Sequence, residues 1–219
     1  MPNPYSRGLA SADPTYSSFA ATAFQTGTPS ATGVTTYLAV PFIARNTRGS
    51  IYGNTAQFIN QTGVNHRAYL FAKEAGTFSF SFPASDDITL LWVGSNAYGP
   101  TYARSNAVVE QLYNGAATSY AQQQYTYNVT LTQGQYLPFR VLWGNAAYDG
   151  QFSATITAPD GTLVTNGTSG GSPFVVQYSC DNTTAPRWAT WGREGTTSTV
   201  RRRWDLRDWS SIREWYHMF

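Results

Sequence analysis

The 219-residue sequence holds one cysteine, Cys180, one lysine, Lys73, and two methionines. With a single cysteine, neither a disulfide framework nor a cysteine metal cluster can be assembled within the chain. Charged residues make up 12% of the sequence, against roughly 25% in ordinary soluble domains, and this excludes a charged disordered chain. No run of about 18 apolar residues exists, so no segment is suited to span a membrane as a helix. Met1 to Ala12 lacks the apolar centre of a secretory signal. Lys and Met are scarce, and 19 Gly with 11 Pro interrupt almost every stretch, which excludes long helices and coiled coils.

What the chain has is aromatic residues, 16% of it, with 15 Tyr, 12 Phe and 7 Trp. From Tyr37 onward, short β-branched and aromatic runs alternate with Gly, Asn and Pro, the pattern of half-buried strands. Phe78, Phe80 and Phe82 alternate with small or polar residues at a period of two. Further runs are Ile88 to Val93, Tyr125 to Leu131, Tyr136 to Trp143, Gln151 to Ala158 and Phe174 to Tyr178. With a tight turn expected at Asp160-Gly161 and no helical segments between strands, the chain reads as all-β, an antiparallel sandwich. Three regions follow: an irregular N-terminal segment over 1–34 with at most one edge strand, a β-sandwich over 35–182, and an Arg/Trp-rich tail over 183–219 expected to lie outside the fold.

The formal net charge of +2 is carried by the tail. Residues 187–219 hold seven of the 14 basic and four of the 12 acidic side chains, leaving seven basic and eight acidic residues before them. The body is therefore not a nucleic-acid binder by charge. The tail carries five of the seven Trp and the run Arg201-Arg202-Arg203. Leu206, Trp209, Ile212, Tyr216 and Phe219 fall at helical spacing, compatible with a short amphipathic helix. A basic Trp-rich segment can touch membranes or single strands, and the plainer expectation is an extension without function.

Two elements carry candidate chemistry. Asp86-Asp87 stands between the strand ending at Phe82 and the run Ile88 to Trp92. Neighbouring side chains on an extended strand point to opposite faces, so both carboxylates can grip one cation only if the backbone is unusual, for example through a cis peptide between them. Otherwise the pair is an ordinary polar turn. The loop Asn145-Ala146-Ala147-Tyr148-Asp149-Gly150 offers the Asn145 amide oxygen and the carbonyls of Ala147 and Asp149, hard donors suited to Ca²⁺. Tyr148 and Asp149 supply an aromatic face and a charged acceptor for a sugar. Read alone, the loop is equally a Gly-terminated hairpin.

The stretches Ser85-Asp86-Asp87 with Leu91-Trp92-Val93-Gly94, Gly134 to Val141, and Asn145 to Thr157 with Pro159 to Thr162 resemble the GLEYA-domain fungal adhesins, relatives of flocculins and epithelial adhesins. The likeness covers about residues 35–182, with Val176 to Cys180 as closing strand. It implies a protective-antigen-type β-sandwich that binds Ca²⁺ and terminal sugars at one end. The implied ion ligands are Asp86, Asp87, Asn145 and the carbonyls of Ala147 and Asp149; the implied sugar contacts are Asp86, Tyr148 and Asp149. It further implies glycan partners on cell surfaces, a secreted or cell-wall location within a larger anchored polypeptide, and an N-terminal cysteine partner for Cys180. Since neither a signal peptide nor a C-terminal anchor signal is visible, a partial gene product is expected, and the absence of such a cysteine is consistent with a lost N-terminus. Ala146 and Ala147 stand where some relatives place large or charged sugar-reading residues, so the sugar itself does not transfer.

Sequons begin at Asn60, Asn128, Asn166 and Asn182, glycosylation acceptors if the chain enters the secretory route. Two other functions stay open beside a non-enzymatic lectin. One is a structural wall or matrix domain with a Ca²⁺-rigidified loop; the other is a glycoside hydrolase using Glu110 and Asp149. Gly167-Thr168-Ser169-Gly170-Gly171 fits a serine-hydrolase elbow in letters, but Pro173 and a strand-like run follow where a helix is required. His66 is expected to be a surface or hydrogen-bonded residue.

Overall fold

The computed structural model describes residues 16–113, 124–165, 167 and 171–194. The expected tail helix, Arg201 to Arg203, the sequon at Asn166 and Ser169 of the elbow-like motif lie outside the described residues.

The chain is an antiparallel β-sandwich. Its strands are β1 (Leu38–Ile43), β2 (Thr62–Phe71), β3 (Gly76–Asp86), β4 (Ile88–Val93), β5 (Val109–Leu112), β6 (Tyr125–Leu131), β7 (Tyr136–Asn145), β8 (Gly150–Thr157), β9 (Leu163–Thr165) and β10 (Val175–Val176). One sheet runs β1-β8-β3-β6 with β9 also on β8; the other runs β10-β2-β7-β4-β5. The Asp160-Gly161 turn joins β8 to β9, with Gly161 at φ +82° and its N–H donating to the Ala158 carbonyl at 2.9 Å.

Period-two patterning decides which side chains meet between the sheets. Phe78, Phe80 and Phe82 of β3 and Phe152, Ala154 and Ile156 of β8 face Leu91, Phe139, Val141 and Trp143 of the opposing sheet. Phe80 and Phe139 touch edge to face at 5.4 Å. Strands β4 and β7 are buried along nearly their whole length. A strand apolar on both sides needs a second cover, as buried strands of layered folds do. Here the cover is Tyr16 to Phe24, the 94–107 connection and Trp188, packed on Ile88, Leu90, Trp92 and Leu142.

This outer layer corrects the expectations for both ends of the chain. Among its described residues, 16–34, the N-terminal segment contributes one helical turn, α1 (Ala23–Thr26), and no edge strand. Phe24 reaches so close to β2 that a Cβ on Gly63 would lie 2.2 Å from its ring. Past residue 182, Ala185 is fully buried and Trp188 stacks on Tyr69 and Tyr98 at 5.1 and 4.8 Å. Glu194, 2% exposed, accepts from Arg140 at 2.7 Å and also pairs with Arg67. Arg67 and Arg140 are directly opposed across β2 and β7, so Glu194 offsets a like-charge pair on the outer face. Packing therefore continues through residue 194. The closing strand is also shorter than expected, Val175–Val176 only, and Cys180 is exposed with no disulfide.

Candidate functional site

Several connections cross between the sheets at one end. β3 ends at Asp86 and β4 of the other sheet begins at Ile88; β7 ends at Asn145 and β8 begins at Gly150. Register places these ends together, with Thr62 opposite Asn145, Ile88 opposite Gly144 and Asp86 opposite Gln151. The 44–61 connection from β1 to β2 crosses at the same end, since Ile43 lies opposite Gly150. Asp86, Asp87, Asn145 and the 146–149 loop thus converge because strand ends do.

The Asp86-Asp87 peptide bond is cis. The two carboxyl groups lie within hydrogen-bonding reach of each other, and the two residues are 6% and 7% exposed. Burial raises the pKa of Asp86, with the charge of Asp87, a hydrogen bond to it and the charge of Asp149 adding to the effect. Burial also raises Asp87, opposed by the N–H groups of Ala146 and Ala147, by Asp86 and by the Tyr16 hydroxyl. Neither carboxylate has an Arg, Lys or His ion-pair partner among the described residues. Two adjacent buried carboxylates without a facing cation carry a desolvation penalty that a proton or a metal ion would relieve.

The pair is held firmly from outside. Asp87 Oδ2 accepts the Ala146 N–H at 2.5 Å, and Oδ1 accepts from the Tyr16 hydroxyl at 2.9 Å. The Asp86 carbonyl accepts from Trp143 Nε1 at 2.8 Å, and the Asp87 carbonyl from the Tyr113 N–H at 2.7 Å.

Asn145 is fully buried at the end of β7. Its Nδ2 donates to the Ile59 carbonyl at 3.1 Å, which fixes the amide so that Oδ1 points elsewhere. That Oδ1 has no hydrogen-bond partner among the described residues. A buried acceptor left without a donor costs about 1 to 3 kcal/mol, a deficit that a water, a proton donor or a cation would relieve. Gly150 is required beside it, since a Cβ there would lie 2.5 Å from Ile59 and 3.1 Å from Asn145 Cγ.

Tyr148 sits at φ +65° and is 58% exposed, which presents its ring to solvent. Asp149 Oδ1 accepts the Arg45 N–H at 2.7 Å. Among the described residues, no three His, Cys, Asp or Glu side chains gather as a metal cluster. A cation here would therefore be held by two carboxylates completed by neutral oxygens, a donor set without nitrogen or sulfur that suits Ca²⁺ rather than Zn²⁺.

Residues 62–158, under half of the chain, match the family model described as the GLEYA domain. All the residues proposed from sequence, Asp86, Asp87, Asn145, Ala147, Tyr148 and Asp149, lie within the matched stretch. Among solved structures, the A domain of epithelial adhesin 9 from Candida glabrata, in complex with Galβ1-4GlcNAc, is similar at 18% identity over 48% of each chain, with a TM-score of 0.38. The epithelial adhesin 6 A domain from the same organism, in complex with Galβ1-3GlcNAc, gives 17% identity over 60% of this chain and 61% of that chain, TM-score 0.43. A β-glucosidase from Kluyveromyces marxianus gives 19% identity over 44% of this chain and 10% of its own, TM-score 0.34. The chain spans about half the length of the epithelial adhesin 9 domain it matches. No curated protein matches it.

Sequence reasoning missed the groups that hold the site in place. These are the Tyr16 hydroxyl, the Ile59 carbonyl, the Arg45 N–H and the Tyr113 N–H. Their separations from the residues they touch leave no local signal; Ile59 and Asn145 are 86 positions apart.

Proposed function

We propose that this chain is a Ca²⁺-dependent, non-catalytic glycan-binding domain of a fungal cell-surface adhesin. The observation that carries the reading is the buried Asn145 Oδ1, without a partner among the described residues, at the sandwich end that also holds the adjacent Asp86 and Asp87 carboxyls. Asp86, Asp87 and Asn145 would hold the ion with their side chains, and Ala147 and Asp149 with their carbonyls. The ion would orient adjacent sugar hydroxyls. This chain's own contribution is to keep its oxygens desolvated and fixed and to offer the Tyr148 ring and the Asp149 carboxylate beside them. Extracellular Ca²⁺ modules bind the ion at about 10⁻⁴ to 10⁻³ M, so firm adhesion would depend on many copies acting together.

A hydrolase is disfavoured by Glu110, which is held by Arg104 through two hydrogen bonds of 2.8 and 2.9 Å rather than facing a substrate. The test is a glycan array read with Ca²⁺ and again with chelator, alongside Asp87→Ala. Binding is expected to vanish in both the chelated and the mutant arms. Binding that survives chelation sinks the mechanism. A Ca²⁺-raised melting temperature with no glycan bound would favour the structural wall domain.

A further inference from the structure

Two arginines on the wall beside this end form no guanidinium–carboxylate ion pair among the described residues. Arg45 and Arg48 lie in the 44–61 connection, both are exposed, and neither takes part in an ion pair there. Each sits over an aromatic ring. The Arg45 guanidinium carbon lies 5.9 Å from the centre of Tyr148, and that of Arg48 lies 4.7 Å from the centre of Phe58. Both rings are more than half exposed.

The two pairs flank the Asn145 loop. Tyr148 is part of that loop, and Phe58 precedes Ile59, whose carbonyl holds the Asn145 amide. Arg45 is tied to the site a second time, through its main-chain N–H to Asp149. A guanidinium laid on a ring keeps its edge donors available while the ring restricts its plane, so less freedom is lost when a carboxylate or sulfate is gripped by two parallel hydrogen bonds. A neutral sugar gives such donors no comparable partner. Arg45, Arg48 and Phe58 all precede residue 62, so this cationic rim belongs to the chain's own connection and not to the matched GLEYA stretch.

We infer that the glycan taken by this site carries an acidic group, a carboxylate or a sulfate ester, and that Arg45 reads it beside Tyr148. Arg48 on Phe58 extends the same rim toward longer ligands. This rests on the glycan-binding reading above and narrows its ligand class.

The test is an array of matched neutral, sulfated and carboxylate-bearing glycans, probed in Ca²⁺ with the wild-type chain, Arg45→Gln, Arg45→Lys and Asp87→Ala. The acidic members should bind about tenfold more tightly than their neutral counterparts, the size of one charge-assisted hydrogen bond. That ratio should shrink toward one in Arg45→Gln, recover in part in Arg45→Lys, and fall as NaCl rises from about 0.05 to about 0.5 M. Comparing the sulfated and carboxylated arms identifies which acid is read. Arg45→Gln keeps the main-chain N–H to Asp149, so its melting temperature should hold; if it drops, Arg48→Gln carries the same comparison. An acidic-to-neutral ratio near one in the wild type, or a ratio unmoved by the arginine substitutions, overturns the inference. In that case binding still abolished by Asp87→Ala leaves the lectin reading standing. If the wild type binds no glycan of any class, both fall together.

Discussion

The two faces of the β10-β2-β7-β4-β5 sheet are buried by different means. The inner face meets Phe78, Phe80, Phe82 and Phe152 and is almost wholly apolar. The outer face, covered by segments from the two ends of the chain, buries Arg140 completely between the Tyr102 ring, the Ala97 carbonyl, Asn65 and Glu194. Apolar alternation specifies the first face locally. The second is specified by charges that find each other only when residues far apart in sequence have docked. Area burial is tolerant of small errors, whereas a buried ion triad is not: removal of one member leaves the others uncompensated.

Glu194→Ala therefore gives the largest expected effect. It leaves Arg67 and Arg140 opposed under Trp188 and Trp191, and urea unfolding should show a loss of about 4 kcal/mol. Replacing all three charged residues by apolar ones of similar length should recover most of that loss, because the penalty lies in the unpaired charge. A loss below about 1 kcal/mol for Glu194→Ala would erase the contrast between the faces.

The inner face has one titrating intrusion, His66. Its Nδ1–H faces the Val141 carbonyl at 3.3 Å, so Nε2 accepts from the Tyr52 hydroxyl at 2.7 Å, and burial lowers its pKa from 6.5 to about 4. Above pH 6.5 both folded and unfolded forms are neutral and the contribution is complete. As pH falls, the unfolded chain takes a proton that the folded chain refuses, and stability is lost down through about pH 4. The raised Asp86 and Asp87 act with the opposite sign, so the effect is read as the difference between wild type and His66→Gln. That difference should shrink by about 3 kcal/mol between pH 7 and pH 4. A flat difference would mean the imidazole is not held neutral.

The smallest effect expected is from Gly63→Ala, whose new Cβ would meet the Phe24 ring at 2.2 Å. Displacing α1 should cost about 1 to 2 kcal/mol and speed proteolysis between Tyr16 and Thr26, with the inner core undisturbed.

What is legible in the sequence follows the same division. The strands Ile88–Val93 and Tyr125–Leu131 are found at the residues where alternation and apolar runs place them, and the Asp160-Gly161 turn is present. Asp86, Asp87 and the Asn145 loop stand out because carboxylate and amide oxygens set between apolar runs are drawn out of water and must find a donor, a proton or a cation. Strand β2 is hidden, because Thr62, Asn65, His66 and Arg67 break the apolar pattern that its pairing with β7 makes unnecessary. Residues 183–194 read as dispensable because Trp, Arg and Glu at irregular spacing carry no period. Their partners, Tyr69, Arg67 and Arg140, lie more than 50 positions away.

The convergence of several crossings at one end also ties the proposed site to long-range closure. Asp87 and Ala146 are 59 positions apart, and Tyr16 and Asp87 are 71 apart. Such pairs, like the sheet pairings themselves, close only when long loops have been drawn in. A sandwich with one crossing misplaced would retain a phenylalanine-rich interior and yet lack the proposed binding geometry. Ligand capture at the proposed site would accordingly be a stricter gauge of correct maturation than compactness or spectroscopic β-content.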